Sequence, residues 1–132
     1  VEHDYQHMSH PLGEGLLHGD AHTRNLLRDH DRWLLADWDS VARGPLLQDL
    51  TPTMMGHRRF GRPRSNWIRF CRAYGIDPDL ELDPAAEVLR TAREVRSLAA
   101  YIRSADRPPV RVELERRLTS LMTGDSVLWR PV

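Results

Sequence analysis

The chain contains no lysine; all 19 of its basic residues are arginine. Within these 132 residues no ammonium can anchor a phosphate, so guanidinium or imidazole groups would have to do so. Cysteine is almost as scarce. The single Cys71 excludes an internal disulfide and fits a reducing compartment, so a cytoplasmic location is expected. No apolar run approaches the ~18 residues of a membrane span, and no secretory leader is expected. The 19 acidic and 19 basic residues cancel. Nothing global therefore points to a nucleic-acid or anionic-membrane partner. The arginine-only usage hints at a GC-rich, bacterial source. No internal repeat or low-complexity tract is visible. The length suits one domain with a modest core.

What the chain does have is a dense motif. Residues 18–25 read His-Gly-Asp-Ala-His-Thr-Arg-Asn, and residues 34–39 read Leu-Leu-Ala-Asp-Trp-Asp. An acid, an amide and a second acid are thereby set at Asp20, Asn25 and Asp37. Phosphoryl transfer from ATP uses such a set. One carboxylate orients the attacking hydroxyl, and an Asn and an Asp hold Mg²⁺ on the phosphates. The D-x-x-x-x-N spacing is the one kinases use. An ordinary Asp, with a pKa of about 3.9, is a weak base toward an alcohol. In a loose transition state Asp20 need only align the hydroxyl and take its proton late. Asn25 would offer Mg²⁺ a neutral oxygen and Asp37 a charged one, leaving the remaining positions to water and phosphate. His22 could reach the transferring phosphate, and Arg24 is a second candidate phosphate partner. His18, Asp39 and Asp49 are read as structural support for the site, through hydrogen bonds or helix-end charge.

The organisation around the motif is short strands, then helices. Gly15 to Leu17 reads as a short buried strand or turn entry. Leu26 to Arg28 and Trp33 to Ala36 flank the polar run Asp29-His30-Asp31-Arg32, a hairpin signal that would carry Asn25 and Asp37 to one mouth. Gly44-Pro45 reads as a break, and Thr51-Pro52 as a cap with a first-turn proline. Trp67, Phe70, Cys71 and Tyr74 mark one helical face, closed by Gly75. Asp77, Asp79, Glu81 and Asp83 form an acidic loop, read as solvated, with Asp83 capping the next helix. In that helix Val88, Ala92, Val95, Ala99 and Ile102 recur at helical spacing. Leu114, Leu118 and Leu121 give a last helix up to Gly124. Arg58, Arg59, Arg62 and Arg64 form a basic cluster between helices, read as surface with a phosphate or acidic partner as the alternative.

His18-Gly19-Asp20 through Asn25, then Asp37-Trp38-Asp39, Gly44-Pro45 and Asp49-Leu50, resemble the aminoglycoside phosphotransferase family, a kinase-like group. The likeness is strong over residues 15–51 and general beyond. Thr23-Arg24 replaces a smaller pair, and Gly44-Pro45 lacks an intervening Asp. The resemblance implies an α+β, mainly helical fold: the C-terminal lobe of a kinase-like phosphotransferase over residues 1–132, with a small hairpin and about four helices. It implies Asp20 as the catalytic residue, Asn25 and Asp37 as metal ligands, and ATP and Mg²⁺ as co-substrate and cofactor. The acceptor would be a hydroxyl on an aminoglycoside-type antibiotic, a choline-like alcohol, a sugar or an amino alcohol. The family's nucleotide-binding lobe, with its Lys, has no counterpart in the seventeen residues before His18. The isolated chain is therefore expected to be weakly active or inactive.

Two other readings compete. A lobe remnant could bind a partner, or a second copy of itself, through the apolar patch where the nucleotide lobe would dock. A His/Asp metallohydrolase would use His3, His7, His10, His18 or His22 around zinc; a polar surface is the plainer reading of those histidines.

Overall fold

A computed structural model describes residues 9–131. Four strands come first, in two antiparallel pairs. β1 (Glu14–Leu17) pairs with β4 (Ala42–Pro45), Leu17 facing Ala42 and Glu14 facing Pro45. Between them β2 (Leu26–Asp29) and β3 (Arg32–Leu35) form the hairpin, with Leu26 opposite Leu35. The hairpin turn is tighter than its polar run suggests. Asp29 pairs with Arg32, leaving His30 and Asp31 to turn the chain, His30 in a left-handed conformation. Gly44-Pro45 does not break the chain but ends β4, where both residues are buried.

Among the described residues four α-helices follow: α1 (Thr51–Arg59), α2 (Arg64–Tyr74), α3 (Pro84–Arg103) and α4 (Pro108–Thr123). The fold is thus α+β and mainly helical, as expected. A 3₁₀ turn, Leu46–Leu50, leads into α1. Thr51 is the first residue of α1 rather than its cap, its hydroxyl donating back to the Gln48 carbonyl at 2.8 Å. α2 ends as its sequence indicates, with Gly75 at φ +86° donating to the Cys71 carbonyl. Asp83 caps α3 by accepting from the Ala85 N–H at 2.8 Å. The core gathers Leu47, Leu50, Met54, Trp67, Cys71, Ala85, Ala86 and Leu89 from the 3₁₀ turn and the first three helices. Of the aromatic stripe on α2, Trp67 is buried, Phe70 half-buried and Tyr74 exposed.

The apolar stripe on α3 is not the buried face. Val95 and Ile102 are 50% and 59% exposed, whereas Ala85, Ala86, Leu89, Glu94 and Leu98 point inward. The reason is a buried charge. Arg59 carries its guanidinium inside, and Glu94, 0% exposed, answers it with two bonds of 2.9 Å each. Arg90 adds a third bond to Glu94, and Arg59 also donates to the Asp125 carbonyl at 2.8 Å. α4 repeats the pattern: Arg117 and Glu113 are buried and bonded at 2.9 Å, while Leu118 is exposed. Two members of the basic cluster are therefore not free surface. Arg59 belongs to the interior, and Arg64 binds Glu81 at 2.7 Å. Glu81 corrects the solvated-loop reading too, since it is buried beneath Arg58, Arg64 and His57.

Candidate functional site

The motif residues converge where the two strand pairs meet. After β1 the chain turns through Gly19 at φ +80°, a conformation open to glycine at little cost. A Cβ here would lie 2.2 Å from the Ser40 carbonyl oxygen, so no side chain fits. The turn is clamped from behind. The Asp49 carboxylate accepts the backbone N–H of His18 at 2.7 Å and of Gly19 at 2.9 Å. Asp49 lies in the Leu46–Leu50 turn, ahead of α1 rather than on it.

His18 braces the other side. Its ring Nδ1 faces the Asp20 N–H at 3.3 Å, and its Nε2 faces the Ala36 carbonyl at 2.9 Å. An N–H cannot donate to a nitrogen that bears a proton, so Nδ1 is the acceptor and Nε2 carries the hydrogen. One buried imidazole thereby ties the Asp20 loop to the residue before Asp37. Trp38 packs on it with ring centroids 4.6 Å apart, and its indole N–H donates to the Leu35 carbonyl at 2.8 Å.

Asn25 stands at the start of the hairpin and faces Asp20. Its Nδ2 donates to the Asp20 carbonyl at 3.0 Å, so Oδ1 is left for another partner. Its own carbonyl accepts the Ala36 N–H at 2.8 Å, one rung beyond the Leu26–Leu35 pair. Asp37 follows directly, exposed and in a left-handed conformation at φ +66°. Such a conformation costs a residue with a Cβ roughly 1–2 kcal/mol, and Asp tolerates it better than most. Its carboxylate does not cap the turn that follows. Asp20, Asn25 and Asp37 are thus fixed at one end of the hairpin by hydrogen bonds between neighbours. Asp39 is exposed in the Trp38–Ser40 turn and, among the described residues, has no hydrogen bond to the others.

The Asp20 carboxylate itself has two neighbours. Arg93 of α3 binds Oδ1 and also donates to the Gly19 carbonyl at 3.3 Å. His22 Nε2 lies 3.4 Å from Oδ2, while its Nδ1 accepts the Arg24 N–H at 3.2 Å. Partial burial pushes the Asp20 carboxyl up. The hydrogen bond and charge of Arg93, helped by His22 and Arg96, outweigh this and hold it below the ordinary carboxylate range. Asp20 is therefore ionised at neutral pH. Arg93 was invisible to motif reading, because it lies 73 residues from Asp20 on a helix whose sequence shows only periodicity. A cavity of about 710 Å³ adjoins this group and is lined by His22, Arg24 and Arg93 together with residues of α1 and α2.

Among the described residues no three His, Cys, Asp or Glu side chains form a metal-holding group. His10 sits 3.2 Å from Glu14, and His3 and His7 fall outside the described residues. Among the described residues the Asn25 amide oxygen and the Asp37 and Asp39 carboxylates make no hydrogen bond, and Asp37 and Asp39 are exposed.

The loop thus carries an ionised carboxylate and an amide anchored to it, with a second carboxylate where the hairpin ends. The model of the phosphotransferase enzyme family (APH) matches residues 3–87, and the chain belongs to that family. No curated protein and no solved structure matches the chain.

Proposed function

We propose that the site serves the transfer of a phosphoryl group from ATP to a hydroxyl of a small molecule, with Mg²⁺ as cofactor. One observation carries this reading. The Asn25 amide is anchored through nitrogen to the Asp20 carbonyl, which leaves its oxygen without a partner among the described residues, and the Asn25 backbone holds Ala36, the residue before Asp37. An amide oxygen and a carboxylate are ligands Mg²⁺ accepts while keeping water and phosphate oxygens for its other positions. Bound there, the ion would offset charge on the phosphates.

Asp20 then has a simple task. Arg93 engages Oδ1, and Oδ2, which has only His22 3.4 Å away, would accept the hydrogen bond of the incoming hydroxyl through its other lone pair. The bond between the γ-phosphorus and the ADP oxygen breaks, a bond to the acceptor oxygen forms, and the hydroxyl proton passes to Asp20. Positioning of bound reactants can supply roughly 7–11 kcal/mol of such a barrier. The His18 brace, the Asp49 clamp and the Arg93 contact serve that end. His22 and Arg24 line the adjoining cavity, where an imidazole and a guanidinium can meet phosphoryl oxygens. The test is transfer from γ-labelled ATP to a panel of alcohols by the protein carrying this chain. Asp20→Asn should abolish transfer while nucleotide binding persists; retained turnover would overturn the assignment.

A partner-binding reading has its own support. Leu16, Leu27, Trp33, Leu34 and Val41 lie exposed on and beside the strands, an apolar surface suited to being covered. Concentration-dependent self-association in sedimentation would favour it, and a strictly monomeric chain would count against it.

A further inference from the structure

We infer that the acceptor is an anionic alcohol, one that carries a carboxylate or phosphate group beside its hydroxyl, rather than a cationic one. The inference rests on the phosphoryl-transfer reading and names the substrate class of the same site.

The cavity of about 710 Å³ lies on the Asp20 side of the motif, since His22 and Arg93, which both flank that carboxylate, line it, whereas Asn25 and Asp37 do not. Asp20 is not itself in the lining, but both side chains that flank its carboxylate are, so a molecule seated there lies next to the Asp20 group. The charge of its lining is one-sided. Arg24, Arg62 and Arg93 contribute guanidinium groups, and no Asp or Glu is among the lining residues. Arg93 is matched by Asp20. Arg24 and Arg62 are exposed and, among the described residues, have no carboxylate within ion-pair distance. The neighbouring acids are already engaged: Glu81 by His57, Arg58 and Arg64, and Glu94 by Arg59 and Arg90. Arg24 and Arg62 are therefore the cavity guanidinium groups open to an anion from outside, and a fork of N–H donors suits a carboxylate or phosphate.

The wall adds no carboxylate. His57 lines the same cavity, and its Nδ1 is buried without a hydrogen-bond partner. That nitrogen faces the interior, so His57 meets the cavity through its carbon edge, while its Nε2 is held 2.7 Å from Glu81. Trp67 and Met55 supply apolar surface for a short carbon skeleton. A polycation such as an aminoglycoside, or a quaternary ammonium, would instead meet like charge, with no carboxylate to receive it.

The test is isothermal titration of the full chain, without nucleotide or metal, against glycerate, glycerol 3-phosphate, inorganic phosphate, glycerol, choline and an aminoglycoside at one ionic strength. Glycerate or glycerol 3-phosphate should bind most tightly, and which of the two wins identifies carboxylate or phosphate as the recognised group. Arg62→Gln should weaken that binding roughly tenfold or more, the worth of one charge-assisted hydrogen bond, and Arg24→Gln provides an independent second variant on an exposed side chain. Tighter binding of choline, the aminoglycoside or glycerol would overturn the inference. So would inorganic phosphate binding as tightly as the best anionic alcohol, or unchanged affinity in both variants. Because no nucleotide is present, this outcome is separate from that of the Asp20→Asn transfer assay.

Discussion

Replacing Asp49 by alanine probes the scaffold that holds the site. The carboxylate accepts two backbone N–H groups, from His18 at 2.7 Å and Gly19 at 2.9 Å, and both residues are buried. A hydrogen bond to a charged group contributes about 1.5–3 kcal/mol, and a buried donor left unpaired costs about 1–3 kcal/mol. The two bonds share one carboxylate, so their losses do not simply add. The expected destabilisation is about 3 kcal/mol, against a total of about 5–15 kcal/mol for a domain of this kind. Asp49→Asn keeps one acceptor oxygen but turns an N–H₂ toward the other donor, and should lose about half as much. Urea unfolding followed by far-UV circular dichroism measures both, with the slope m unchanged if only native bonds are lost. Amide exchange at His18 and Gly19 should accelerate in step. A loss under about 1 kcal/mol for the alanine variant, with these amides still protected, would refute the clamp, since two unpaired buried donors cannot cost so little.

Other outcomes follow from the same contacts. Removing Arg93 leaves burial as the main influence on Asp20, so in Arg93→Ala the carboxyl titrates at higher pH, as a carbon-13 NMR titration of its side chain would read. In the parent the lowered carboxyl stabilises the fold above the unfolded pKa of about 3.9, and that stabilisation is lost as pH falls through the folded value; the variant should lack this acid-side term. Glu94→Ala leaves Arg59 buried without its carboxylate and should cost roughly 3–5 kcal/mol in the same urea assay. Burial, with Glu81 and Asp77 nearby, pushes the Cys71 thiol up to about 11, so the native chain should resist iodoacetamide at pH 8 and react once unfolded.

The site was more legible in the sequence than the packing. That Asp20, Asn25 and Asp37 lie at one end of the hairpin could be read because the loop and hairpin that join them are local, and local spacing is what a sequence records. Asp49 was also readable as support, though not as an acceptor of two backbone N–H groups. The helices were placed correctly, and so was the inward Trp67–Cys71 face of α2, while Val95 and Ile102 of the stripe read on α3 and Leu118 on α4 point outward. An apolar stripe marks a buried face only when the interior is apolar, and here Glu94 and Glu113 turn inward to meet Arg59 and Arg117. Glu81 escaped for the same reason, since an acidic loop looks solvated until the arginines and histidine around it are placed. Arg93 was hidden by distance along the chain. Its only sequence signal was a cation on the helical turn after the buried Leu89, too weak to separate it from any surface arginine.

The central claim is that Asn25 and Asp37 share one divalent ion beside Asp20. Electron paramagnetic resonance of Mn²⁺, titrated into the chain with ATP, measures this directly. Binding of the metal–nucleotide pair should weaken at least tenfold in both Asn25→Ala and Asp37→Ala, and persist in Asp20→Asn. Unchanged Mn²⁺ binding in the first two variants would contradict the account.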